Sequence, residues 1–436
     1  MTATSTLALR YRGRISDLAA SAYRHLCDRS TSSDPAIRER VATIIADVCA
    51  RGDAALRELA VRYDGVSLES LEIPRQDWLC ALDDLDADVR RAMERSARNI
   101  ACVHAASRPV PVECEPEPGV IVGRRPDPLA RVGVYAPGGT AAYPSSLLMG
   151  AVPARAMGVG DVVLCSPPRA NGPSPLVLAA AAIARVDRVF AAGGAGAIAA
   201  MAYGTESIPR VDRIVGPGNA YVAEAKLQVT GAVAIDAPAG PSELLVLADD
   251  TCDADAIAME LAGQAEHDAR ACVVAVAVGD DTARRLTAAL AAIVPAQPRR
   301  DIVARALASH GGVLSAASLD EAIAFANDYA PEHLLLAVAH PGAPLSRIRN
   351  AGTVFVGATS SVAYGDYMTG ANHVLPTGGL ARSYSGLSPL DFVRWTTYQR
   401  VSPNAAASLA GDVAAFALGE GLPAHAAAAL RAGGLA

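Results

Sequence analysis

Short runs of aliphatic and β-branched residues alternate with alanine-rich stretches of mixed polarity through most of the chain. The first series comprises residues 119–122, 132–135, 162–165, 188–190 and 213–215, and the second comprises 243–247, 272–276, 312–314, 334–336 and 354–356. Runs of this length bounded by glycine and proline are typical of strands, and intervening stretches such as 282–293 are long enough for helices. Strands that alternate with helices predict mostly parallel sheets. The two series therefore predict an α/β fold with two doubly wound, Rossmann-like units.

Helical spacing dominates both ends of the chain. Charged and apolar residues are mixed at helical intervals over 35–62 and 77–104, so we expect residues 30 to about 107 to be mostly helical. After Pro376 come a glycine loop at 377–379, the segment 390–398, an alanine-rich helix ending near Gly419 and a last helix from Leu422. We expect this short appendage to pack on a partner subunit.

Composition limits the classes of function. The chain has 436 residues, 51% of them hydrophobic and only 4% aromatic, which is enough for two or more domains with alanine-rich helices. The net charge is −7 at pH 7, with acidic and basic residues interspersed. Because there is no block of lysine and arginine, the sequence predicts neither nucleic acid nor an acidic membrane as a partner, and it favours a small-molecule substrate.

Cysteine usage and the short apolar runs predict a cytoplasmic protein. Eight cysteines are scattered from Cys27 to Cys272 without a CxxC pair, a pattern typical of reduced thiols. The segment 1–26 contains three arginines near its middle but no continuous apolar stretch of the kind found in signal peptides. The longest apolar run, around 176–184, is too short to span a bilayer.

One candidate metal site lies near a predicted helix end. The stretch 253–267 is rich in Ala, Leu, Met and Ile and begins with Asp253 at a suitable N-cap position. Gln264 and His267 then share one helical face, where they can point a carbonyl oxygen and an imidazole nitrogen at one cation. Two ligands do not make a site, so a solvated helix end without a metal is the alternative.

A second group of polar residues follows the predicted strand at 354–356. Asp366 and His373 belong to a glycine-punctuated run, 365–373, which predicts a loop at a strand end, where α/β enzymes keep much of their chemistry. Asp366 is a candidate carboxylate for a metal or proton-transfer site, and His373 is a further candidate ligand. The alternatives are a turn-forming aspartate and an ordinary loop histidine.

Glu332 and His333 are adjacent, between Pro331 and the apolar run 334–336. The pair therefore stands at the beginning of a buried strand or helix rather than inside it. A neutral imidazole can take a proton from an alcohol, and a neighbouring carboxylate can activate a water molecule. Acid–base chemistry fits the pair, but a capping glutamate beside a hydrogen-bonded edge histidine fits the pattern equally well.

Glycine-rich turns follow three strands of the first series. They are residues 136–139, 193–196 and 216–219. Glycine lets backbone amides approach a phosphate closely, and the helix N-terminus that follows favours negative charge. Gly194, Gly196 and Ala199 also match the G-x-G-x-x-A form of the dinucleotide fingerprint, which is a weak match in a glycine-rich chain. Tight turns without a ligand are the alternative.

Taken together, the longer motifs resemble those of one family. They are RVGVYAPGGTAAYPSS at 131–146, YGTESIP at 203–209, IVGPGNAY at 214–221, PAGPSE at 238–243, QAEH at 264–267, PEHL at 331–334 and GANHVLPT at 370–377. In this order, and nearly from end to end, they are similar to the motifs of the histidinol dehydrogenases. The resemblance implies a zinc-containing, NAD-dependent homodimer that oxidises L-histidinol to L-histidine through an enzyme-held aldehyde, in two hydride transfers.

The resemblance also implies roles for individual residues. The implied zinc ligands are Gln264, His267, Asp366 and His425. The first three come from one chain, and His425 comes from the partner's tail motif EGLPAH at 420–425. Ser242 and, from the partner subunit, Glu420 are implied to contact the substrate. His333 is implied to take the hydroxyl proton as hydride leaves, and Glu332 to activate the water that attacks the aldehyde. The implied substrate site consists of the four zinc ligands together with Ser242, Glu420, Glu332 and His333.

Tyr135 and Asn219 match the NAD contacts of the family. The third cofactor position, usually the glutamine of GGAQA, is Gly196 in this sequence, so one side-chain hydrogen bond to NAD, worth about 1 kcal/mol, is expected to be missing. The tail segment 394–400 is also less typical of the family. Because of these departures, an alternative interpretation stays open: the chain is a related NAD-dependent zinc alcohol dehydrogenase that acts on another amino alcohol or on a polyol.

The expected architecture has four parts. They are an N-terminal arm at 1–29, a larger α/β domain at 30–133 plus 242–380, a second α/β domain with the nucleotide-binding loops at 134–241, and a tail at 381–436 that contacts the partner in a swapped homodimer. Two other classes of function fit part of the pattern. A zinc hydrolase in which Glu332 activates a metal-bound water needs no NAD, and a non-catalytic metal-binding scaffold tolerates loss of His333. Both leave the full set of motifs unexplained.

Overall fold

The computed structural model describes residues 7–29, 34–138, 142–170 and 172–435, and within them the strands form three sheets. The strands are β1 (Tyr11–Arg14), β2 (Val112–Glu117), β3 (Val120–Pro128), β4 (Arg131–Tyr135), β5 (Asp161–Ser166), β6 (Arg188–Ala191), β7 (Arg213–Val215), β8 (Ala234–Ile235), β9 (Glu243–Ala248), β10 (Cys272–Val278), β11 (Gly312–Ala316), β12 (His333–Ala337), β13 (Thr353–Val356) and β14 (Val393–Val401). The helices are α1 (Ala20–Cys27), α2 (Pro35–Arg51), α3 (Asp53–Leu59), α4 (Arg75–Asp83), α5 (Ala87–Ala106), α6 (Pro144–Ala156), α7 (Pro175–Ile183), α8 (Gly194–Tyr203), α9 (Ala220–Gln228), α10 (Ala254–Ala265), α11 (Asp280–Ile293), α12 (Arg300–His310), α13 (Leu319–Tyr329), α14 (Gly342–Leu345), α15 (Val362–Tyr367), α16 (Pro403–Gly419) and α17 (Pro423–Ala432).

The two larger sheets are parallel throughout and share one strand order. The five-stranded sheet runs β6–β5–β4–β7–β8, and the six-stranded sheet runs β1–β11–β10–β9–β12–β13. Counted along each unit, both follow the order 3-2-1-4-5 of a doubly wound fold, with β1 added at one edge of the larger sheet. The prediction of mostly parallel, Rossmann-like units is confirmed. The order reverses between β4 and β7 in one sheet and between β9 and β12 in the other.

Strand β9 explains why the central strands are continuous apolar runs. Leu244 and Val246 pack into the core formed with α10, α11 and α12, whereas Leu245 and Leu247 point to the opposite face, into the core formed with α13. A parallel sheet covered by helices on both faces has no polar side, so alternation disappears from its strands. All six residues of β9 are buried as a result.

One strand of the first series belongs to a different sheet. The run 119–122 lies mostly in β3, which pairs antiparallel with both β2 and β14 in a separate three-stranded sheet. Gly119, at φ +82°, turns the chain back between β2 and β3, a conformation that favours glycine. The inclusion of this run among the parallel strands was therefore wrong. The tail segment 390–398 supplies the end of a short 3₁₀ turn and then most of β14.

The N-terminal residues are integrated into the larger sheet. Strand β1 pairs in parallel with β11, and α1 packs on α13 through an edge-to-face contact of Tyr23 with Phe325 at 5.7 Å between ring centroids. The predicted N-terminal arm therefore adds one strand to the edge of the larger sheet. The predicted bounds of the four parts of the chain stay a prediction.

The helical region after the N-terminal arm packs mainly on the five-stranded unit. The expectation of helices across 30 to about 107 is confirmed by α2, α3, α4 and α5. Helix α2 contacts α8 and α9, α4 contacts α7, and α5 contacts α6. Val41 and Val48 bury against Ile198, and Trp78 shares a second core with Leu147.

The tail ends in a helical hairpin with an uncovered apolar surface. Helices α16 and α17 pack chiefly on each other, and Phe416 is 74% exposed, with Leu418 and Leu422 also exposed. None of the described helices combines the length and the apolar character needed to cross a membrane. The eight cysteine thiols are all free, as the sequence predicts.

Candidate active site

A cavity of about 1170 Å³ lies between the two parallel sheets. Residues that follow the carboxyl ends of β4, β6 and β7 line one end, and residues at the amino ends of β9 and β12 line the other. The reversal point at the carboxyl edge of an open parallel sheet is the usual place for a nucleotide. In this molecule that edge of the smaller sheet faces the amino edge of the larger one, which supplies titratable side chains.

Glu332 and His333 lie at the amino end of β12, beside the start of β9. The Glu332 carboxylate accepts a hydrogen bond from the backbone N–H of Glu243 at 2.7 Å, and His333 Nδ1–H donates to the backbone carbonyl of Glu243 at 2.9 Å. Because a carbonyl oxygen only accepts, the proton of the neutral imidazole is on Nδ1 and the lone pair is on Nε2. Glu332 Oε2 lies 3.4 Å from Nδ1. The expected position at the start of a buried element is confirmed, since β12 begins at His333.

The other ring nitrogen of His333 is unpaired. Nε2 is buried without a hydrogen-bond partner in the part of the chain that the structure describes, and Asp366 Oδ1 lies 3.9 Å away. The same carboxylate oxygen lies 3.9 Å from Nδ1 of His373, which is 3.0 Å from the Asp366 backbone carbonyl. Leaving a buried acceptor unpaired costs about 1–3 kcal/mol. Nε2 is therefore suited to receive a hydroxyl group of a ligand.

Burial and charge oppose each other at these groups. Burial alone would lower the pKa of His333, but the charge of Glu332, its hydrogen bond and the charge of Asp366 together raise the pKa of His333 to about 9. Burial raises the pKa of the Glu332 carboxyl above its ordinary value, although His333 opposes the rise. Burial lowers the pKa of His373 despite the nearby Asp366 carboxylate. Perturbed groups that line a cavity are typical of acid–base sites.

Asp366 lies in the short helix α15 rather than in a loop. Ser361 caps this helix by accepting a hydrogen bond from the backbone N–H of Ala363 at 3.3 Å, and Val362 is buried beneath it. The predicted loop 365–373 is confirmed over 368–373, but its first three residues belong to α15, because the serine cap and the apolar contact favour a helical turn over the nearby glycines. The position after β13 is as expected, and Asp366 lines the cavity.

Gln264 and His267 lie at the end of α10. Asp253 caps the start of this helix by accepting hydrogen bonds from two backbone N–H groups, which confirms the predicted cap. The predicted helix is confirmed over Ala254–Ala265 but ends before His267, so the expectation that Gln264 and His267 share one helical face was wrong. Gln264, in the last turn, is 4% exposed, and His267 lies two residues beyond the helix. Both line the cavity with Ser242 and Asp366. Across the described ranges, no three His, Cys, Asp or Glu side chains form a group that could hold a metal. One amide, one imidazole and one carboxylate nevertheless provide nitrogen and oxygen donors of the kind that zinc accepts.

Tyr135 and Asn219 border the cavity where the order of the five-stranded sheet reverses. The Tyr135 hydroxyl accepts a hydrogen bond from the Gly194 backbone N–H at 3.1 Å, and Asn219 caps α9 by accepting from the Tyr221 backbone N–H at 3.0 Å. Gly216 joins them, because a Cβ at this position would lie 2.1 Å from the Tyr135 carbonyl oxygen. Only glycine fits this approach, also at φ +117°. The turn at 136–139 continues outside the described residues.

A buried ion pair holds the loop before Asn219. Asp236 accepts a hydrogen bond from the Gly216 backbone N–H at 2.7 Å, Lys226 donates to the Gly216 carbonyl at 3.0 Å, and the two side chains pair with each other. Burial raises the pKa of the Asp236 carboxyl, which Lys226 opposes. Both backbone groups of Gly216 are therefore fixed by one pair of charges.

Gly196 lines the cavity inside the first turn of α8. A Cβ at this position would lie 2.7 Å from Leu59 Cδ1 and 3.2 Å from Leu56 Cδ2. The two leucines of α3 therefore fill the space that a longer side chain would need. Because Gly196 and Ala199 lie within the helix, the fingerprint match does not describe the strand-to-helix turn.

Two residues of the expected site are not brought into the cavity by their own chain. Glu420 and His425 are exposed on the hairpin of α16 and α17 and do not line it. Glu243 and Arg29 also line the cavity, and the sequence analysis named neither as a candidate. Glu243 could have been found, because it is the last residue of the motif 238–243. Arg29 belongs to none of the motifs, so no local pattern marks it as part of the site.

Comparisons with known proteins show which family the chain belongs to. A family model described as histidinol dehydrogenase matches residues 27–432. The chain belongs to the histidinol dehydrogenase family. The histidinol dehydrogenase of Bordetella parapertussis is 46% identical over 399 residues, 91% of each chain. That of Natronomonas pharaonis is 47% identical over 414 residues, 94% of this chain and 97% of the relative. The crystal structure of histidinol dehydrogenase from Elizabethkingia anophelis superposes with a TM-score of 0.92 at 32% identity and covers 98% of both chains.

Membership of the histidinol dehydrogenase family assigns the class of reaction. The chain is an oxidoreductase of histidine biosynthesis, a dehydrogenase that acts on a CH–OH group, in a family that uses NAD. A related dehydrogenase for another amino alcohol or a polyol, left open by Gly196 and by the segment 394–400, is not favoured. The hydrolase and the non-catalytic scaffold are not favoured either.

Proposed function

We propose that the chain oxidises L-histidinol through L-histidinal to L-histidine with two molecules of NAD, at a zinc site completed by the tail of a second copy. The observation that carries the proposal is the convergence of six side chains on one cavity: Ser242, Gln264, His267, Glu332, His333 and Asp366. The same cavity extends to Tyr135 and Asn219, the expected NAD contacts. One space therefore holds substrate and cofactor positions together.

Gln264, His267 and Asp366 would hold zinc, with His425 of the partner subunit as the fourth ligand. Their donor set supports this assignment, because one nitrogen and two oxygens suit zinc and leave room for His425 of the partner subunit as a fourth ligand. Zinc bound there would anchor the imidazole and amino groups of the substrate, and NAD would accept hydride in both steps. Ser242 and Glu420 of the partner subunit would orient the substrate.

His333 would take the proton of the substrate hydroxyl at Nε2 as hydride leaves. That nitrogen is buried and has no hydrogen-bond partner among the described residues, and the bond from Nδ1 to the Glu243 carbonyl fixes the tautomer and the ring orientation. The Glu332 carboxylate would stabilise the imidazolium that results, since its charge raises the pKa of His333. A raised pKa makes the neutral imidazole a stronger base, and only the fraction of His333 that has lost its proton can accept the one from the alcohol.

Glu332 would activate the water that attacks the aldehyde before the second hydride transfer. Burial raises the pKa of its carboxyl, which makes the carboxylate a stronger base than an exposed one. The bond from the Glu243 backbone N–H holds one of its oxygens in place. Because Glu332 and His333 are adjacent, both proton transfers can take place at one substrate carbon.

The tail supports a homodimer in which each chain completes the site of the other. Phe416, Leu418 and Leu422 expose apolar surface on the hairpin that also carries Glu420 and His425. Exposed apolar patches of this kind mark protein interfaces. A partner that covers the hairpin would take the two polar residues towards its own cavity.

The substrate assignment is tested by the rate of NADH formation from L-histidinol and from a panel of other amino alcohols and polyols, with zinc-loaded protein. We expect histidinol to be preferred and His333→Ala to be slower by about 10²- to 10⁴-fold, the usual contribution of a general base. His340→Ala is the matched control, because His340 is exposed and outside the cavity. Oxidation of another alcohol without oxidation of histidinol would contradict the proposal.

The shared site is tested by mixing inactive subunits. His267→Ala and His425→Ala homodimers are each expected to be inactive. After dissociation and reassociation, a hybrid dimer contains one site with both histidines, so part of the activity should return. A mixture as inactive as its parents, with hybrid dimers demonstrated by mass, would show that the tail does not complete the site of its partner.

A further inference from the structure

A buried ion pair lies beside Glu332 and His333. Arg29 Nε and Nη2 donate to the two carboxylate oxygens of Glu243 at 3.0 and 2.9 Å, and the side chains are 8% and 2% exposed. This is the bidentate geometry that makes an arginine–carboxylate pair directional as well as strong. A pair removed from water to this extent is expected to need its remaining donors and acceptors satisfied as well.

Those remaining groups are paired with three other segments. Arg29 Nη1 donates to the Leu26 carbonyl at 2.6 Å, Nη2 donates to the Tyr329 carbonyl at 2.9 Å, and the guanidinium carbon lies 3.5 Å from the centroid of the Tyr329 ring. Glu243 Oε1 also accepts from the Gly378 backbone N–H at 2.8 Å. The pair therefore joins the end of α1, the end of α13 and the chain after residue 377 to the start of β9.

Glu243 in turn contacts both residues that the proposed reaction uses. Its Oε2 accepts from the Glu332 backbone N–H at 3.3 Å, its backbone N–H donates to the Glu332 carboxylate at 2.7 Å, and its carbonyl accepts from His333 Nδ1 at 2.9 Å. One residue thus orients the carboxylate and the imidazole, and Arg29 anchors that residue. We infer that Arg29 and Glu243 are positioning residues for the oxidation, an inference that rests on the function proposed for Glu332 and His333.

Stability alone is a poor account of this pair. Replacing a buried ion pair by uncharged residues is often neutral or stabilising, so such a pair contributes little that an apolar pair would not. Positioning of Glu332 and His333 explains the pair better, because a displacement of about 1 Å in a reacting group can reduce the rate on the order of 100-fold. Arg29 does not touch the reacting atoms in this account and acts through Glu243.

The test compares Arg29→Met, Arg29→Lys and the double variant Arg29→Met with Glu243→Gln, all as zinc-loaded full-length protein. Arg29→Met leaves a buried carboxylate unpaired and should lower both stability and kcat. The double variant removes that charge and keeps an acceptor for one of the two backbone N–H groups, that of Glu332 or that of Gly378, so its free energy of unfolding should recover in part. We expect its kcat to stay lower by on the order of 10- to 100-fold, with little change in KM, because positioning acts on the transition state. Arg29→Lys should be intermediate.

The matched control is Arg213→Met. Arg213 pairs with Asp391 at 2.7 Å, is partly buried and does not line the cavity, so it should lose stability without losing kcat. A double variant with wild-type kcat, or an Arg29→Met whose activity falls only in proportion to its folded fraction, would overturn the positioning role. A wild type that does not oxidise histidinol would contradict the proposed function instead, and the comparison would then be made on the alcohol that the chain oxidises.

Discussion

Replacing Gly196 by glutamine probes the space around a position where this chain departs from the family pattern. A Cβ there would lie 2.7 Å from Leu59 Cδ1 and 3.2 Å from Leu56 Cδ2. The backbone of Gly196 is not left-handed, so removing glycine from the helix should gain about 0.5–1 kcal/mol. Overpacking costs about 1–3 kcal/mol. We expect the clash to dominate and Gly196→Gln to lower the free energy of unfolding by roughly 1–2 kcal/mol.

Leu59→Ala should relieve the clash. Alone, truncation of this half-buried leucine is expected to cost about 2 kcal/mol, the low end for leucine to alanine. In the double variant the glutamine has room. The loss of unfolding free energy in the double variant should therefore be about 1 kcal/mol smaller than the sum of the losses in the two single variants. Its amide should then reach NAD and tighten binding about fivefold, the equivalent of one neutral hydrogen bond of about 1 kcal/mol.

Urea unfolding measures the stability of the four proteins in this cycle, and calorimetric titration measures their Kd for NAD. Gly196→Ala is the matched control, because it adds the Cβ without an amide that could reach the cofactor. Additive free energies, or a Gly196→Gln variant as stable as the wild type, would refute the conclusion that the leucines of α3 occupy this space. NAD affinity unchanged in the double variant would refute the conclusion that Gly196 faces the cofactor.

Three further predictions concern charge, burial and assembly. The value of kcat/KM for histidinol should rise with pH as His333 loses its proton. In Glu332→Gln the rise in the rate of the first hydride transfer, followed in single turnovers, should move to lower pH, because the Glu332 charge that raises the pKa of His333 is gone. Lys226→Met leaves the buried Asp236 carboxylate unpaired and should reduce the urea-unfolding free energy by about 3–5 kcal/mol, with a higher KM for NAD. Phe416→Asp should shift the protein to monomers in light scattering and reduce activity with them, whereas active monomers would contradict the shared site.

The parallel sheets could be predicted because their strands are buried on both faces. Runs such as that of β9 carry a continuous apolar signal that local sequence shows directly. Strands at exposed edges carry no such signal. Strand β1, Tyr11–Arg14, has one buried residue of four, and β2, Val112–Glu117, is exposed along its whole length. Both are defined by their pairing partners, which lie far away in sequence or across a turn.

The site shows the same division between local and long-range information. Gln264, His267, Glu332 and His333 stand in short motifs, so they could be named as candidates from neighbouring residues, and the structure places all four in one cavity. The roles proposed for them stay a prediction. The partnership of Arg29 with Glu243 spans 214 positions and depends on where α1 ends relative to β9. The helix around Asp366 was missed because two glycines outweighed a serine cap in local reasoning, while burial of Val362 decided the fold.

The most direct test of the account is the number of NADH molecules formed per L-histidinol consumed by the purified, zinc-loaded protein with NAD in excess. Glu332 and His333 acting at one carbon predict two NADH for each histidinol, with histidine as the product. His333→Ala should slow NADH formation by about 10²- to 10⁴-fold. One NADH per substrate with accumulation of the aldehyde, or no oxidation of histidinol at all, would contradict the central claim.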